Sequence, residues 1–141
     1  MVNVTIQQTS APSEGDRVAI LDVLQEFTRA SVPILDNQDF AILLKDDAQS
    51  VIGGLVATSR WGGFHIEMVA LPASLRRKRY GSTLLQLAEA EARHRGCHHI
   101  YLDTQAFQAK PFYERHGFVV FGQIDGPAPY YPRYFMQKKL R

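Results

Sequence analysis

Cysteine is nearly absent from this chain of 141 residues: Cys97 is the only one. An intramolecular disulfide and a four-cysteine metal site are therefore both excluded. Long apolar runs are missing too. None approaches the roughly 20 residues that span a bilayer, and Met1–Ser10 lacks the charged head and apolar stretch of a signal peptide. These features predict a cytoplasmic protein with no membrane partner. Charge of one sign is also scarce overall, with a net formal charge of +2. The positive residues are instead gathered locally, in Arg76–Arg79 and near the end in Lys138, Lys139 and Arg141. A local cluster suits a local anionic ligand better than a long polyanion, so no nucleic-acid partner is expected. Nor is disorder. Hydrophobic residues make up 45% and charged residues 21%, enough apolar material for one core in one domain, taken as residues 1–141.

What is present alternates between two periods. Val2–Gln7 alternates apolar and polar residues as a strand does. Asp16–Ala30 repeats Val18, Ile20, Leu21, Val23, Leu24 and Phe27 at helical spacing, with Asp16 as N-cap. Ser31–Gln38 reads as an irregular connection or a short second helix. Three strands are expected next, Phe40–Lys45, Ser50–Ser59 and Phe64–Leu71, with Gly53 and Gly54 marking a bulge or a close backbone approach. Gly81–Arg95 carries a helical stripe of Leu84, Leu85, Ala88 and Ala92. Its pairs Glu89–Arg93 and Glu91–Arg95 stand at i,i+4, and Gly96 stops it. A strand (His99–Asp103), a short helix (Ala109–His116) and two strands (Phe118–Gln123 and Tyr134–Lys138) complete the order. The fold class is α/β, a mixed sheet.

Chemistry concentrates where a strand stops at Pro72, a basic loop follows, and a helix starts at Gly81. The unpaired N–H groups and partial positive charge of a helix N-terminus bind phosphate. Arg76, Arg77, Lys78 and Arg79 directly precede them, and Gly81 and Ser82 leave room for close approach. A solvated basic loop before an ordinary helix is the plainer alternative.

This segment resembles the acetyl-CoA loop of the GNAT family (GCN5-related N-acetyltransferases), whose pattern is Gln/Arg-x-x-Gly-x-Gly/Ala. Arg76 and Gly81 fit it, and Arg79 occupies the place of the first glycine. If position 79 needs a positive φ, arginine is strained there. A second run, Ala109-Lys110-Pro111-Phe112-Tyr113-Glu114-Arg115-His116-Gly117-Phe118, is similar to the family's fourth-helix motif, and Ala109, Phe112, Tyr113, Gly117 and Phe118 fall in register. Ala106 stands where that motif often has asparagine, with Gln105 and Gln108 as substitutes.

The resemblance implies a central, mostly antiparallel twisted sheet of about seven strands flanked by three to four helices. It also implies acetyl-CoA as co-substrate and transfer to a primary amine of a small molecule by direct attack in a ternary complex. Tyr113 would protonate the departing thiolate. Glu67 would accept the amine proton, or else simply sit at an exposed edge; strict alternation gives it one face with His65 and Val69. The cofactor-binding set would be Val69, Ala70 and Leu71 of the strand, Arg76–Ser82 including Tyr80, and Gln105, Gln108, Ala109 and Phe112. A metal is not expected. A homodimer is compatible with the resemblance. The competing reading is a non-catalytic CoA-binding or regulatory module of the same fold.

Overall fold

The computed structural model describes residues 3–32 and 36–141. The chain divides into two compact units, Met1–Leu35 and Asp36–Arg141, and each is treated separately. The first contains helix α1, Glu14–Ser31. It begins two residues earlier than the periodicity predicts, because Ser13 rather than Asp16 is the N-cap. The Asp16 N–H donates to Ser13 Oγ at 3.0 Å, and the Ser13 N–H donates to the Asp16 carboxylate at 2.9 Å. This reciprocal arrangement satisfies two donors that the helix cannot. Residues 3–7 form no strand. Alternation supplies two side-chain faces, but a strand also needs a ladder partner, and among the described residues this unit has no other strand to offer. The expected element at Ser31–Gln38 falls partly outside the described residues.

The second unit holds six strands rather than about seven: β1 (Gln38–Lys45), β2 (Val51–Arg60), β3 (Gly63–Ala70), β4 (His99–Gln105), β5 (Val119–Ile124) and β6 (Arg133–Lys139). They form one sheet in the order β1-β2-β3-β4-β6-β5. Every neighbouring pair is antiparallel except β3 with β4. Helix α2 (Tyr80–His94) connects those two, and α3 (Lys110–Arg115) connects β4 to β5. The second unit thus has two α-helices beside its sheet, and the first unit has one among the described residues. Among the described residues no helix is long and apolar enough to cross a membrane.

One face of the sheet carries the core. Leu55, Ala57, Phe64, Ile66, Ile100, Leu102 and Met136 meet Leu84, Leu85, Ala88 and Ala92 of α2, and Tyr113 and Phe118 join the same cluster. Cys97 is buried there as well, and burial pushes its thiol up, as a packed small residue requires. Both i,i+4 pairs of α2 form. Arg95 extends further, donating to the carbonyls of Gln38 and Asp39 and to Ser59 Oγ, which pins the end of α2 to the β1–β2 edge. At Gly54, φ is +144° and a Cβ would stand 2.0 Å from the Ile42 carbonyl oxygen. This is a close approach that only glycine allows.

Candidate active site

The β3–β4 pairing lasts only from Gly63↔His99 to His65↔Tyr101. Beyond that point the two strands part. β4 keeps β6 as partner through Gln105, and β3 keeps β2 through Ala70. The edge of β3 that faces β4 is thus left with backbone donors and acceptors and no strand to take them. Such an edge can pair with an extended ligand.

A bulge sharpens this. Val56 pairs with Met68 and Ala57 with Ile66, so Glu67 is the extra residue. The expected alternation breaks at this point: Phe64 and Ile66 are buried, Glu67 and Met68 are both exposed, and Val69 returns to pack against the core. Glu67 therefore does not share a face with Val69. An unpaired residue resets the pleat by one position.

A cavity of about 780 Å³ opens where the strands part, a size suited to a cofactor or drug-sized ligand. Its walls are Val69–Leu71 from β3, the loop and first turn of α2 (Arg76, Arg77, Arg79, Tyr80, Gly81, Ser82), and Gln108, Ala109, Phe112 and Tyr113 from the β4–α3 segment. All but three of the predicted site residues meet there. Gln105 is turned away, because β4 alternates and sends it to the opposite face; its side-chain amide donates to the Tyr130 carbonyl at 3.1 Å. Lys78 and Glu67 do not line the cavity. Leu75, Phe107 and Arg115 do, and the sequence reading missed them. Only Arg115 carried a signal, since it stands three residues after Phe112 and so on the same helical face.

The electrostatics are one-sided. Four guanidinium groups, Arg76, Arg77, Arg79 and Arg115, line the cavity, and no carboxylate does among the described residues. The first turn of α2 has no side-chain cap and no acidic residue. The earliest helical N–H to find a carbonyl is that of Thr83, which donates to Arg79 O. The N–H groups of Tyr80, Gly81 and Ser82 find no carbonyl within the helix, and together with the dipole they present a partial positive charge to the cavity. The loop is shaped by two left-handed residues, Arg77 at φ 62° and Arg79 at φ 66°. Position 79 thus has the conformation that favours glycine. Gly81 brings three walls together: a Cβ there would lie 3.0 Å from Phe112 Cζ and 3.5 Å from Leu71 Cδ1.

Tyr113 is 9% exposed. Among the described residues its hydroxyl makes no hydrogen bond, yet no buried side-chain oxygen or nitrogen is left unpaired. Its Oη must therefore reach open space, and the cavity is the space it lines. Burial raises its pKa, so the phenol stays protonated and able to donate. The ring is held edge-on by Phe112 and Phe118, at 5.3 and 5.8 Å between centroids. Gln108 braces the loop before α3, its side-chain oxygen accepting from the Gln105 N–H at 2.7 Å and from Thr104 Oγ1 at 3.2 Å.

The sequence profile of the acetyltransferase (GNAT) family matches residues 6–118. The chain belongs to that family. An acetyltransferase of Agrobacterium fabrum is 36% identical over 117 residues, covering 83% of this chain and 84% of that protein. The blasticidin-S acetyltransferase of Streptomyces morookaense is 34% identical over 89 residues, 62% of this chain and 65% of its own. The crystal structure of a candidate acetyltransferase from Agrobacterium tumefaciens matches with a TM-score of 0.88 at 29% identity, covering 99% of this chain and all of that one. The reaction class of this GNAT protein is acetyl transfer.

Proposed function

We propose that this protein is an acetyl-CoA-dependent N-acetyltransferase acting on a primary amine of a small molecule. The observation that carries the reading is the cavity itself. A free strand edge, an uncapped helix N-terminus, four arginines and one buried phenol share its walls, and each suits a different part of acetyl-CoA. The N–H groups of Tyr80–Ser82 and the guanidinium groups match the diphosphate. The edge of Val69–Leu71 matches the amide-bearing pantetheine arm and supplies N–H donors to a developing oxyanion.

In this reading the amine attacks the thioester directly. A bond forms from nitrogen to the acetyl carbon, the carbon–sulfur bond breaks, and Tyr113 donates its proton to the departing sulfur. Glu67, at the bulge, accepts the proton the amine loses, directly or through water. The blasticidin-S acetyltransferase relative makes blasticidin S a natural member of the acceptor panel.

The test is twofold. Acetyl-CoA should raise the melting temperature, and free CoA thiol should be released with at least one amine in a panel of amino acids, polyamines, aminoglycosides and blasticidin S. No thermal shift at saturating acetyl-CoA contradicts the cofactor. Binding without turnover across the panel favours the non-catalytic CoA-binding module.

A further inference from the structure

His116 sits half-buried just past the end of α3, with its Nε2 3.0 Å from Ser82 Oγ. Phe112, one turn earlier, lies 4.8 Å from the imidazole between ring centroids and covers Gly81. Gly81 and Ser82 at the start of α2 are thus each held by a residue from the α3 segment. Phe112 and Ser82 belong to the cavity wall, but His116 does not. It faces a second hollow of about 620 Å³ with Glu89, Arg93 and Lys138.

The direction of the Ser82–His116 hydrogen bond matters. A hydroxyl has one hydrogen and two lone pairs. If Ser82 donates to the imidazole, only lone pairs remain for the cavity, and these repel an anion. If the imidazole Nε2–H donates to Ser82 Oγ, the serine hydrogen is released toward the cavity and can bond a phosphate oxygen. An anion beside Ser82 selects the second arrangement.

We infer that His116 is a positioning residue that turns the Ser82 hydroxyl into a donor for the diphosphate of the cofactor. The inference rests on the acetyl-CoA reading above. The charged groups around the imidazole are Lys138 of β6, Arg115 beside it and Glu89 of α2; burial first, then Lys138 and Arg115, lower its pKa, and Glu89 opposes them. The ring is therefore neutral at pH 7, and the relay works by choice of tautomer rather than by charge. Lys138 donates to Glu89 at 2.6 Å and makes no hydrogen bond to Ser82 among the described residues.

The experiment measures CoA binding by calorimetry at pH 7 for wild type, His116→Leu, His116→Gln, Ser82→Ala and the Ser82→Ala/His116→Leu pair. Removing the charge-assisted hydrogen bond should weaken CoA about tenfold in Ser82→Ala, and His116→Leu, which leaves the hydroxyl its hydrogen but nothing to fix its direction, should lose a smaller part of that factor. The double variant should be no weaker than Ser82→Ala alone, because His116 acts only through Ser82. His116→Gln, whose amide N–H can still donate, should recover most of the affinity. Pantetheine lacks the diphosphate, so its binding by NMR titration should be unchanged in every variant, which a merely misfolded helix would not allow. In the CoA complex, ¹⁵N shifts should place the imidazole proton on Nε2. Additive losses, an equal loss for pantetheine, or wild-type CoA affinity in His116→Leu would each overturn the inference. Failure of the wild type to bind CoA overturns the cofactor reading itself, and this inference with it.

Discussion

Arg79 occupies a left-handed conformation, φ 66° and ψ 11°, at the N-cap of α2, and its exposed side chain makes no capping bond there. The left-handed helical region costs an L-residue with a Cβ about 1–2 kcal/mol, and glycine escapes that cost. Against it stands the larger conformational freedom of glycine in the unfolded chain, about 0.4–1 kcal/mol. Glycine is also slightly better than alanine as an N-cap. Arg79→Gly should thus be more stable than Arg79→Ala by about 1 kcal/mol, or roughly 4 °C in melting temperature for a chain of this length. The comparison isolates the backbone, since both variants lose the same guanidinium. Both should also bind CoA a few times more weakly than wild type, with the deficit shrinking as salt rises. The assay is thermal unfolding without ligand, followed by calorimetry with CoA at low and high salt. Equal melting temperatures for the glycine and alanine variants would refute a left-handed residue 79. Loss of stability in Arg79→Gly would refute it more strongly.

Other outcomes follow from the same geometry. Tyr113→Phe removes a hydroxyl that has no partner among the described residues, so stability and CoA affinity should hold while turnover falls about a hundredfold, the low end for loss of a general acid; steady-state kinetics beside calorimetry check this. Gly81→Ala places a methyl 3.0 Å from Phe112. Overpacking of about 1–3 kcal/mol should exceed the gain of about 1 kcal/mol in helix propensity, and a urea titration should show a net loss. Burial pushes the Glu89 carboxyl up, but its hydrogen bonds from Lys138 and Arg93 push it further down, and its pKa ends below the ordinary value. The stability it contributes is present above the unfolded carboxylate pKa, about 4.3, and is lost as pH falls through the folded value. Glu89→Gln should melt well below wild type at pH 7, with the gap narrowing as the solution is brought below pH 4.

Much of this was legible in the residues. The helix at Leu84, Leu85, Ala88 and Ala92 announced itself by spacing, because burial against a sheet demands a stripe. The basic wall of the cavity could be read from a basic run followed by glycine and serine. Three features were not legible. Of the strand expected at Val2–Gln7, the described residues 3–7 form none, because pairing is a long-range event that local alternation cannot report. The bulge at Glu67 left no mark in composition, yet it shifted Val69 to the face of Ile66 and put Met68 in solvent. The left-handed turn at Arg77 was hidden for a different reason: arginine gives no hint of positive φ where glycine or asparagine would. Gln105 shows the value of the pleat, since alternation along β4 from the buried Leu102 and Thr104 would have sent it to the far face.

The most direct test of the central claim is a crystal structure of the protein with CoA. The expected density places the diphosphate on the N–H groups of Tyr80, Gly81 and Ser82, the pantetheine along Val69–Leu71, and the sulfur within hydrogen-bonding reach of Tyr113 Oη. CoA bound elsewhere, such as the hollow beside Lys138 and Arg93, or crystals that take up none at millimolar concentration, would contradict it.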